Sequence, residues 1–452
     1  MIKRKPTVGR DPAKGPPLAN PDRCEVCARW HRKTTGRQPE RDLGNQHQVD
    51  LFEKCERFTR AKELMAKGVY PYFRAISKHD CTRATIQGRE VIMVGSNNYL
   101  GLTHDPRVIE ASIEATQRYG TSCTGSRFLN GTLELHEVLE DRLARFMGME
   151  STAIFSTGFM VNLGVLASLV GKGDVVFCDR ENHASILDGA RLGFGVTRKY
   201  RHDDLSELER MLAETPESSG KLIVVDGVFS MNGSISDLPG VVRLAKKYNA
   251  KVMVDDAHGI GVLGAKGRGT AEHFGLLDDP NGGVDLVMGT FSKSLASIGG
   301  FIAGRADVVH YIKHTARALI FSASPTPANT AAALAALGIL EQEPWRMQRL
   351  HEISSRVRRE FATMGYDTMG SETPIVPVLI GSDEDTFAFW KMLDLHGVFA
   401  NPVVAPGTPA GKGLIRTSYM ATHKDEEINQ VLDVFGKLAQ QRKAPLTSVV
   451  RG

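Results

Sequence analysis

Five short apolar runs, separated by stretches with helical periodicity, limit this chain to few folds. They are Ala153–Phe155, Val175–Cys178, Leu222–Val225, Val252–Val254 and Val284–Met288. Each run has the length and the β-branched content of a buried strand, and each is followed by polar or glycine residues. Alternating strands and helices predict an α/β fold with a mostly parallel central sheet flanked by helices.

Residues with reactive side chains follow three of these runs. His183 comes after the second run, Asp255 and His258 after the fourth, and Lys293 after the fifth. In open α/β sheets ligands bind outside the carboxyl ends of the strands, so we expect the four side chains to converge. Taken singly, Lys293 could be a surface lysine, Asp255 a helix cap and His183 a core histidine. Together they indicate a ligand with a carbonyl, a basic ring nitrogen and an anionic group.

Pyridoxal phosphate meets this description. A partly desolvated Lys293 loses its proton readily and forms a Schiff base with a carbonyl. Asp255 would pair with the pyridine nitrogen, His258 would bond the phenolic oxygen, and the His183 ring would stack on the cofactor. Catalysis is assigned to Lys293, His183 and Asp255. The phosphate would meet the turn before a helix and nearby hydroxyls, for which the candidates are Ser156, Thr157, Gly158, Phe159, Ser230, Thr290 and Ser292.

The last part of the chain has a different sequence pattern. Strand patterns at Ile375–Ile380 and Leu414–Ser418 flank the Pro/Gly-rich segment Val403–Gly413. They predict a smaller C-terminal α+β domain that closes over the cofactor. Arg416 is a candidate clamp for a substrate carboxylate, swinging inward once substrate binds, because a guanidinium holds carboxylates bidentately. The alternative is a surface arginine on a strand.

The predicted domains are 1–42, a basic and disordered extension; 43–95, a helix and hairpin; 96–345, the catalytic domain; and 346–452, the C-terminal α+β domain. The extension contains eleven Lys and Arg against four Asp and Glu within residues 1–41, although the whole chain has a net charge of only +4. A net charge this small for the whole chain gives no reason to expect a nucleic-acid partner.

Composition and cysteine usage indicate the compartment. Hydrophobic content is 42%, no apolar run approaches the ~18 residues that span a bilayer, and the basic start lacks the apolar middle of a signal peptide. We therefore expect a cytoplasmic protein with at most peripheral membrane contact. Its six cysteines are sparse, and Cys24 and Cys27 lack the further ligands of a closed zinc site, so no metal is expected.

Several stretches together resemble the α-oxoamine synthase family of fold-type I pyridoxal-phosphate enzymes, over about residues 48–440. They are GSNNYLGL, GSRFLNGT, FSTGF, ENHASILDGAR, DGVFSMNG, VDDAHGIGVLG, GTFSKS and IRTSYMATH. The resemblance implies condensation of an amino acid with an acyl thioester and release of carbon dioxide. It also implies a homodimer with shared active sites, in which Ser322 and Ser324 reach the partner's phosphate. Asn98, Tyr99, His183 and Arg416 would then bind substrate.

Within the family, GTFSKSLASIGGF and YPYFRAI are similar to bacterial members that make 3-ketodihydrosphingosine from L-serine and palmitoyl-CoA. One alternative is a sibling enzyme that uses glycine or alanine, or an acyl group on a carrier protein. Another is a non-catalytic partner subunit, which the retained Lys293, Asp255, His183 and His258 disfavour. Acyl-chain length does not follow from the sequence, because the depth of a tunnel depends on packing.

Overall fold

The computed structural model describes residues 50–277 and 282–441. The predicted extension 1–42, with Cys24 and Cys27, lies outside the described residues. The helices are α1 (Glu53–Glu56), α2 (Arg60–Ala66), α3 (Pro106–Tyr119), α4 (Glu134–Met147), α5 (Gly158–Leu169), α6 (Ala184–Leu192), α7 (Leu205–Ala213), α8 (Leu238–Lys247), α9 (Thr270–His273), α10 (Ala306–Thr315), α11 (Arg317–Ile320), α12 (Pro327–Gln342), α13 (Trp345–Thr363), α14 (Asp383–Leu395) and α15 (Asp425–Gln441).

The described strands form three sheets. They are β1 (Ile76–His79), β2 (Arg83–Ile86), β3 (Arg89–Met93), β4 (Ser151–Phe155), β5 (Val175–Asp179), β6 (Val196–Tyr200), β7 (Lys221–Asp226), β8 (Lys251–Asp255), β9 (Leu286–Thr290), β10 (Gly300–Gly304), β11 (Ile375–Gly381), β12 (Val398–Phe399), β13 (Asn401–Val403) and β14 (Gly413–Ser418).

The central sheet has seven strands in the order β4-β10-β9-β8-β7-β5-β6. Strands β6, β5, β7, β8 and β9 are parallel. Strand β10 is antiparallel to both β9 and β4, so β4 points the same way as β9. All five predicted runs are therefore strands whose carboxyl ends lie at one edge of the sheet, as expected.

The central sheet is buried on both faces. Every residue of β5, β7, β9 and β10 is buried, and separate apolar clusters cover the two sides. Continuous apolar strands are typical of a parallel sheet with helices on each face. Helix α4 ends where the sequence predicts, at Gly148, which has a left-handed φ of +68° and donates its backbone N–H to Ala144 and Arg145.

Two smaller sheets accompany the central sheet. Strands β11, β14 and β13 form an antiparallel sheet packed with α13, α14 and α15, which confirms the smaller C-terminal α+β region. The predicted hairpin is β2 and β3, and the C-terminal strand β12 extends its sheet through parallel pairing with β3. The domain boundaries drawn from the sequence stay predictions.

The chain also divides after Glu63 into two units. In the described part of the first unit, the Asp50 carboxylate accepts the Phe52 backbone N–H at 2.9 Å, just before α1. All site residues below belong to the second unit.

Candidate active site

Lys293 lies three residues beyond the end of β9, in the loop that leads to β10. Burial lowers the pKa of its ammonium group to about 8, while the Asp255 and Asp226 carboxylates oppose this shift. A lysine with such a pKa is partly neutral near physiological pH, and the neutral amine is the form that attacks a carbonyl.

The pKa of Lys293 predicts a pH profile for its reaction with an amine reagent. Its folded-state pKa is below the ordinary lysine value of about 10.4. In cofactor-free protein, the rate at which trinitrobenzenesulfonate modifies Lys293 should therefore rise with pH around a midpoint near 8. Mass spectrometry of the peptide containing Lys293 measures this rate. A midpoint near that of an ordinary exposed lysine would contradict the assignment.

Asp255 is the last residue of β8 and is almost fully buried. One carboxylate oxygen accepts the Asn162 side-chain N–H at 2.7 Å, and the other accepts the Ala257 backbone N–H at 3.1 Å. The same Asn162 amide group donates to the Ser185 hydroxyl at 2.8 Å. These bonds fix the carboxylate at the base of the site, where it can hold a protonated ring nitrogen.

A second buried carboxylate, Asp226 at the end of β7, supports the His183 backbone. It accepts the His183 N–H at 2.7 Å. Burial, together with the neighbouring Asp255 carboxylate, raises the pKa of Asp226 well above its usual value. The His183 ring nitrogen Nδ1 accepts the Ser185 N–H at 3.3 Å. Burial also lowers the pKa of His183, which favours the neutral ring that stacks well on a flat ligand.

His258 is buried beside Lys293, and burial lowers its pKa well below the usual value. Its Nδ1 shares a hydrogen bond of 2.7 Å with the Tyr99 hydroxyl. The other ring nitrogen, Nε2, is then the one available to a phenolic oxygen of a bound ring. Tyr99 is itself buried and its hydroxyl bonds His258, and its assignment to substrate binding stays a prediction.

The amino end of α5 provides an anion site at the expected turn. Thr157 caps this helix, because its hydroxyl accepts the Met160 N–H at 3.2 Å. The first backbone N–H groups of a helix, here at Gly158 and Phe159, have no partner inside the helix and attract anions. A Cβ at Gly158 would lie 2.8 Å from the Thr290 hydroxyl oxygen, so the absent side chain leaves room there.

Hydroxyl groups from β9 and its following loop lie opposite this helix end. The Thr290 and Ser292 hydroxyls are 2.9 Å apart, and both residues line the same cavity as Thr157. The Ser156 hydroxyl donates to the Ala323 carbonyl instead. In the segment beyond α11, Ser324 donates to the Gly131 carbonyl at 2.7 Å, and Ser322 is 3.6 Å from the Met160 sulfur. The assignment of Ser322 and Ser324 to a partner's phosphate stays a prediction.

Ten of the thirteen predicted cofactor residues line one cavity of about 300 Å³, whereas Ser156, Ser322 and Ser324 do not. Its lining residues that belong to the predicted set are Thr157, Gly158, Phe159, His183, Ser230, Asp255, His258, Thr290, Ser292 and Lys293. A second cavity, of about 520 Å³, shares Ser292, Lys293 and Ile298 with it. Lys293 thus faces both spaces.

Arg416 is buried on β14, and its guanidinium is hydrogen-bonded within the protein. Its Nε donates to the Ser230 carbonyl at 2.5 Å, and Nη2 donates to the Asn97 side-chain oxygen at 3.0 Å. In this conformation the guanidinium lies inward, and the expectation that Arg416 swings inward once substrate binds stays a prediction. Its charge contributes to the low pKa values of His258 and Lys293, which places it electrostatically within the site.

Asn98 holds its own loop together. Its amide group donates to the Thr103 hydroxyl at 2.9 Å and its oxygen accepts the Leu102 N–H at 3.0 Å. Its neighbour Asn97 makes the Arg416 contact. Sequence reasoning assigned no role to Asn97, Asn162 or Asp226. Of these three residues, only Asp226 could have been identified as a candidate from the sequence, because it directly follows an apolar run.

The residues around the first cavity fit pyridoxal phosphate by their chemistry. A lysine with a lowered pKa matches the aldehyde, and a fixed carboxylate matches the basic nitrogen. A helix amino end with two hydroxyls matches the phosphate. Lys293, Asp255 and the turn at Thr157 would therefore hold the cofactor at its three functional groups.

Comparisons with known proteins agree with this chemistry. The family model of Aminotransferase class I and II matches residues 89–435. The serine palmitoyltransferase of Sphingobacterium spiritivorum is 48% identical over 391 residues, covering 86% of this chain and 97% of that protein. This chain belongs to the α-oxoamine synthases of the aminotransferase class I and II family. Another α-oxoamine synthase, the 8-amino-7-oxononanoate synthase of Geobacter sulfurreducens, is 42% identical over 382 residues. The match covers 84% of this chain and 97% of that protein.

Solved structures of α-oxoamine synthases confirm fold type I. Serine palmitoyltransferase from Sphingomonas wittichii is 37% identical, covers 87% of this chain and 99% of that one, and superposes with a TM-score of 0.84. A high-resolution structure described as SPT with a PLP internal aldimine also has a TM-score of 0.84, at 35% identity and the same coverage. Among the described helices of this chain, none has the length and apolar character needed to cross a bilayer.

Proposed function

We propose that this protein is a serine palmitoyltransferase. It would condense L-serine with palmitoyl-CoA, with loss of carbon dioxide, to 3-ketodihydrosphingosine, the first step of sphingolipid biosynthesis. Its cofactor would be pyridoxal phosphate. Four relatives at 47–49% identity that are named serine palmitoyltransferases support the proposal.

The observation that supports a condensation best is the position of Lys293 between two cavities. The first contains the titratable side chains of His183, Asp255 and Lys293 and fits the cofactor with its amino acid. The wall of the second includes Val108, Ile109 and Ile113 from α3. These three side chains form an apolar patch among polar residues such as Asn97 and Ser112. The patch suits the acyl chain of a thioester, because apolar surface is then removed from water.

The cofactor contributes one property to this reaction. When bound, pyridoxal phosphate supplies an electron-accepting ring that stabilises negative charge on the α-carbon of an amino acid. Asp255 keeps the positive charge of the ring nitrogen in place, and Asn162 keeps Asp255 in position. The His183 ring lines the same cavity, where it would stack on the ring of the cofactor.

Lys293 moves the proton. Its Nζ would take the α-proton of the bound serine. A base with a pKa near 8 suits this task, because it is not fully protonated near neutral pH. The α-carbon of serine would then attack the thioester carbonyl, and the CoA thiolate would leave. The β-keto acid would lose its carboxylate as carbon dioxide, and its α-carbon would take up a proton of solvent origin through the Lys293 ammonium.

The serine carboxylate needs a cation until decarboxylation, and Arg416 is the proposed one. Its Nε, Nη1 and Nη2 bond Ser230, Ser418 and Asn97, and because a guanidinium has five N–H donors, N–H groups on its Nη atoms remain for a ligand. Because these bonds hold the guanidinium, binding in this conformation requires little further ordering of the side chain.

Arg416→Ala should retain pyridoxal phosphate but bind L-serine about 10- to 100-fold more weakly. A hydrogen bond to a charged group contributes about 1.5–3 kcal/mol, which corresponds to this range. Arg416→Lys should restore only part of the affinity, because an ammonium lacks the bidentate fork. Spectral titration with serine measures the affinity. If Arg416→Ala binds serine like wild type, the carboxylate has another holder.

A sibling α-oxoamine synthase is the second candidate, because the Geobacter relative at 42% identity is an 8-amino-7-oxononanoate synthase. The two candidates are separated by assaying L-serine, L-alanine and glycine, each with palmitoyl-CoA and with carrier-bound acyl groups. We expect the highest kcat/KM for L-serine with palmitoyl-CoA. A preference for alanine with a shorter or carrier-bound acyl group would replace the proposal with the second candidate.

We further propose a cytoplasmic homodimer with shared active sites, and no nucleic-acid partner. The loop around Ser322 and Ser324 lies beside the proposed phosphate-binding turn at Thr157, because the Ala323 carbonyl accepts the Ser156 hydroxyl. Sedimentation of the holoenzyme should give twice the mass of one chain. A stable monomer with full activity would contradict a shared site.

A further inference from the structure

A cluster of one imidazole and three carboxylates lies outside the cofactor cavity, beyond the carboxyl end of β5. It consists of Asp179, Glu181, His202 and Asp203, and we name it the His202 cluster. Asp179 is fully buried, whereas the side chains of His202, Asp203 and Glu181 are 25%, 41% and 47% exposed. A dissolved ion therefore has access to one side of the cluster. The reaction proposed above uses none of these residues.

Asp179 orients the imidazole of His202. Its two carboxylate oxygens lie 3.3 and 3.2 Å from His202 Nδ1. The same oxygens accept the backbone N–H groups of Glu181 at 2.8 Å and Asp203 at 3.0 Å. The Phe229 ring packs edge-on against the imidazole, with centroids 4.4 Å apart. The ring of His202 is therefore fixed, with Nδ1 used and Nε2 directed away from Asp179.

The outward nitrogen of His202 faces two carboxylates. Its Nε2 is 3.8 Å from Glu181 Oε2 and 3.9 Å from Asp203 Oδ2. Metal–ligand bonds of about 2.0–2.2 Å place neighbouring ligands about 3–3.5 Å apart. Small rotations of two half-exposed side chains would close this difference. An oxygen of Asp179, a nitrogen of His202 and an oxygen of Asp203 also lie within 4.8 Å of one another.

The charge of the cluster is unbalanced. In residues 50–277 and 282–441, no lysine or arginine forms an ion pair with Asp179, Glu181 or Asp203. Three carboxylates thus share one imidazole. A carboxylate bonded to one nitrogen of a histidine whose other nitrogen is free is the arrangement that orients histidine ligands in metal sites.

We propose that the His202 cluster binds a divalent transition-metal cation. His202 Nε2 and Asp203 are its ligands, and Glu181 becomes a third ligand by rotation of its half-exposed side chain. Water completes the coordination, and Asp179 is a positioning residue. One imidazole with two carboxylates suits Mn²⁺ or Zn²⁺ better than Ca²⁺, which takes oxygen ligands alone. Glu181 is two residues before His183, so the bound ion lies beside the active site without touching the reacting atoms.

Electron paramagnetic resonance of Mn²⁺ with the holoenzyme tests this site directly. Mn²⁺ is the chosen probe because it has little affinity for thiolates, so Cys24 and Cys27 do not contribute. The sharp signal of free Mn²⁺ should fall by one ion per chain. His202→Gln and Asp203→Asn should each abolish this loss, and Asp179→Asn should weaken binding about 10- to 100-fold.

A matched control and the folding state of each variant make the test decisive. His310 and His314 form another histidine pair, on α10, with ring centroids 4.2 Å apart. His314→Gln should bind Mn²⁺ like wild type. Each variant should keep the wild-type Tm in EDTA and the visible absorbance of the bound cofactor. If His202→Gln fails to fold, the exposed Asp203→Asn variant decides the question.

Two results would overturn the proposal. Wild-type holoenzyme that leaves the Mn²⁺ signal unchanged at millimolar concentration would reduce the cluster to a pair between a protonated His202 and Asp179. Binding that persists in both His202→Gln and Asp203→Asn would place the ion elsewhere. Neither result bears on serine palmitoyltransferase activity, which is measured without added metal.

Discussion

Lys293→Ala should lose product formation by about 10³-fold or more, since proton transfer by a positioned side chain alone contributes about 10²–10⁴-fold. The same change removes the amine that would be joined to the cofactor. The variant should therefore also lose the visible absorbance of the lysine-bound cofactor, although the cavity that Lys293 shares with Asp255 and Thr157 remains. Steady-state rates and an absorbance spectrum of the purified variant measure both effects.

Lys251→Ala is the matched control for this prediction. Lys251 begins β8, at the other end of the same sheet, and its ammonium pairs with Asp285 at 2.9 Å on the surface. Its loss should leave the rate and the spectrum unchanged. Wild-type turnover in Lys293→Ala would show that another group both holds the cofactor and moves the proton.

Asp255→Asn should lower kcat by about 10²–10³-fold, the range for removing one electrostatic group that stabilises charge developing in the reaction. The change preserves size and leaves the Asn162 and Ala257 contacts nearby, but it removes the negative charge. Because a neutral amide cannot hold a protonated ring nitrogen, the ring withdraws electrons less strongly. Cofactor affinity should fall less than kcat, since Lys293 and the phosphate turn remain.

The comparison with Asn162→Ala separates charge from positioning. Asn162 contacts Asp255 at 2.7 Å and Ser185 at 2.8 Å, so its loss leaves the charge in place but less well held. We expect a smaller decrease in kcat, of about tenfold, the net effect of one hydrogen bond to a charged group. Equal activity of Asp255→Asn and wild type would remove the carboxylate from the mechanism.

The sequence predicted the central sheet because buried parallel strands are continuous apolar runs. The same reasoning placed Lys293, Asp255, His183 and His258 together, since the carboxyl ends of such strands meet at one edge. It did not identify β10 (Gly300–Gly304), whose glycine-rich sequence has little strand propensity. Burial between β9 and β4 determines this strand, and pairing between distant segments leaves no local pattern.

The contacts that support the reacting groups were not predictable for the same reason. Asn162 lies 93 residues before Asp255, and Tyr99 lies 159 residues before His258. Hydrogen bonds across such separations follow from the packing of α5 and the loop after β3 against the sheet. Arg416 was predicted as mobile from the Pro/Gly loop that precedes it. Its anchors, Ser230 and Asn97, come from other elements that the local sequence does not reveal.

Isotope labelling of serine tests the proposed condensation most directly. Holoenzyme given palmitoyl-CoA and L-serine labelled with ¹³C at the carboxyl carbon should release labelled carbon dioxide and form unlabelled 3-ketodihydrosphingosine. With L-serine deuterated at the α-carbon, the product should lose that deuterium, because Lys293 removes the α-proton. Mass spectrometry of product and gas reads both labels. A product that keeps the carboxyl label, or no product from serine while alanine or glycine reacts, would contradict the account.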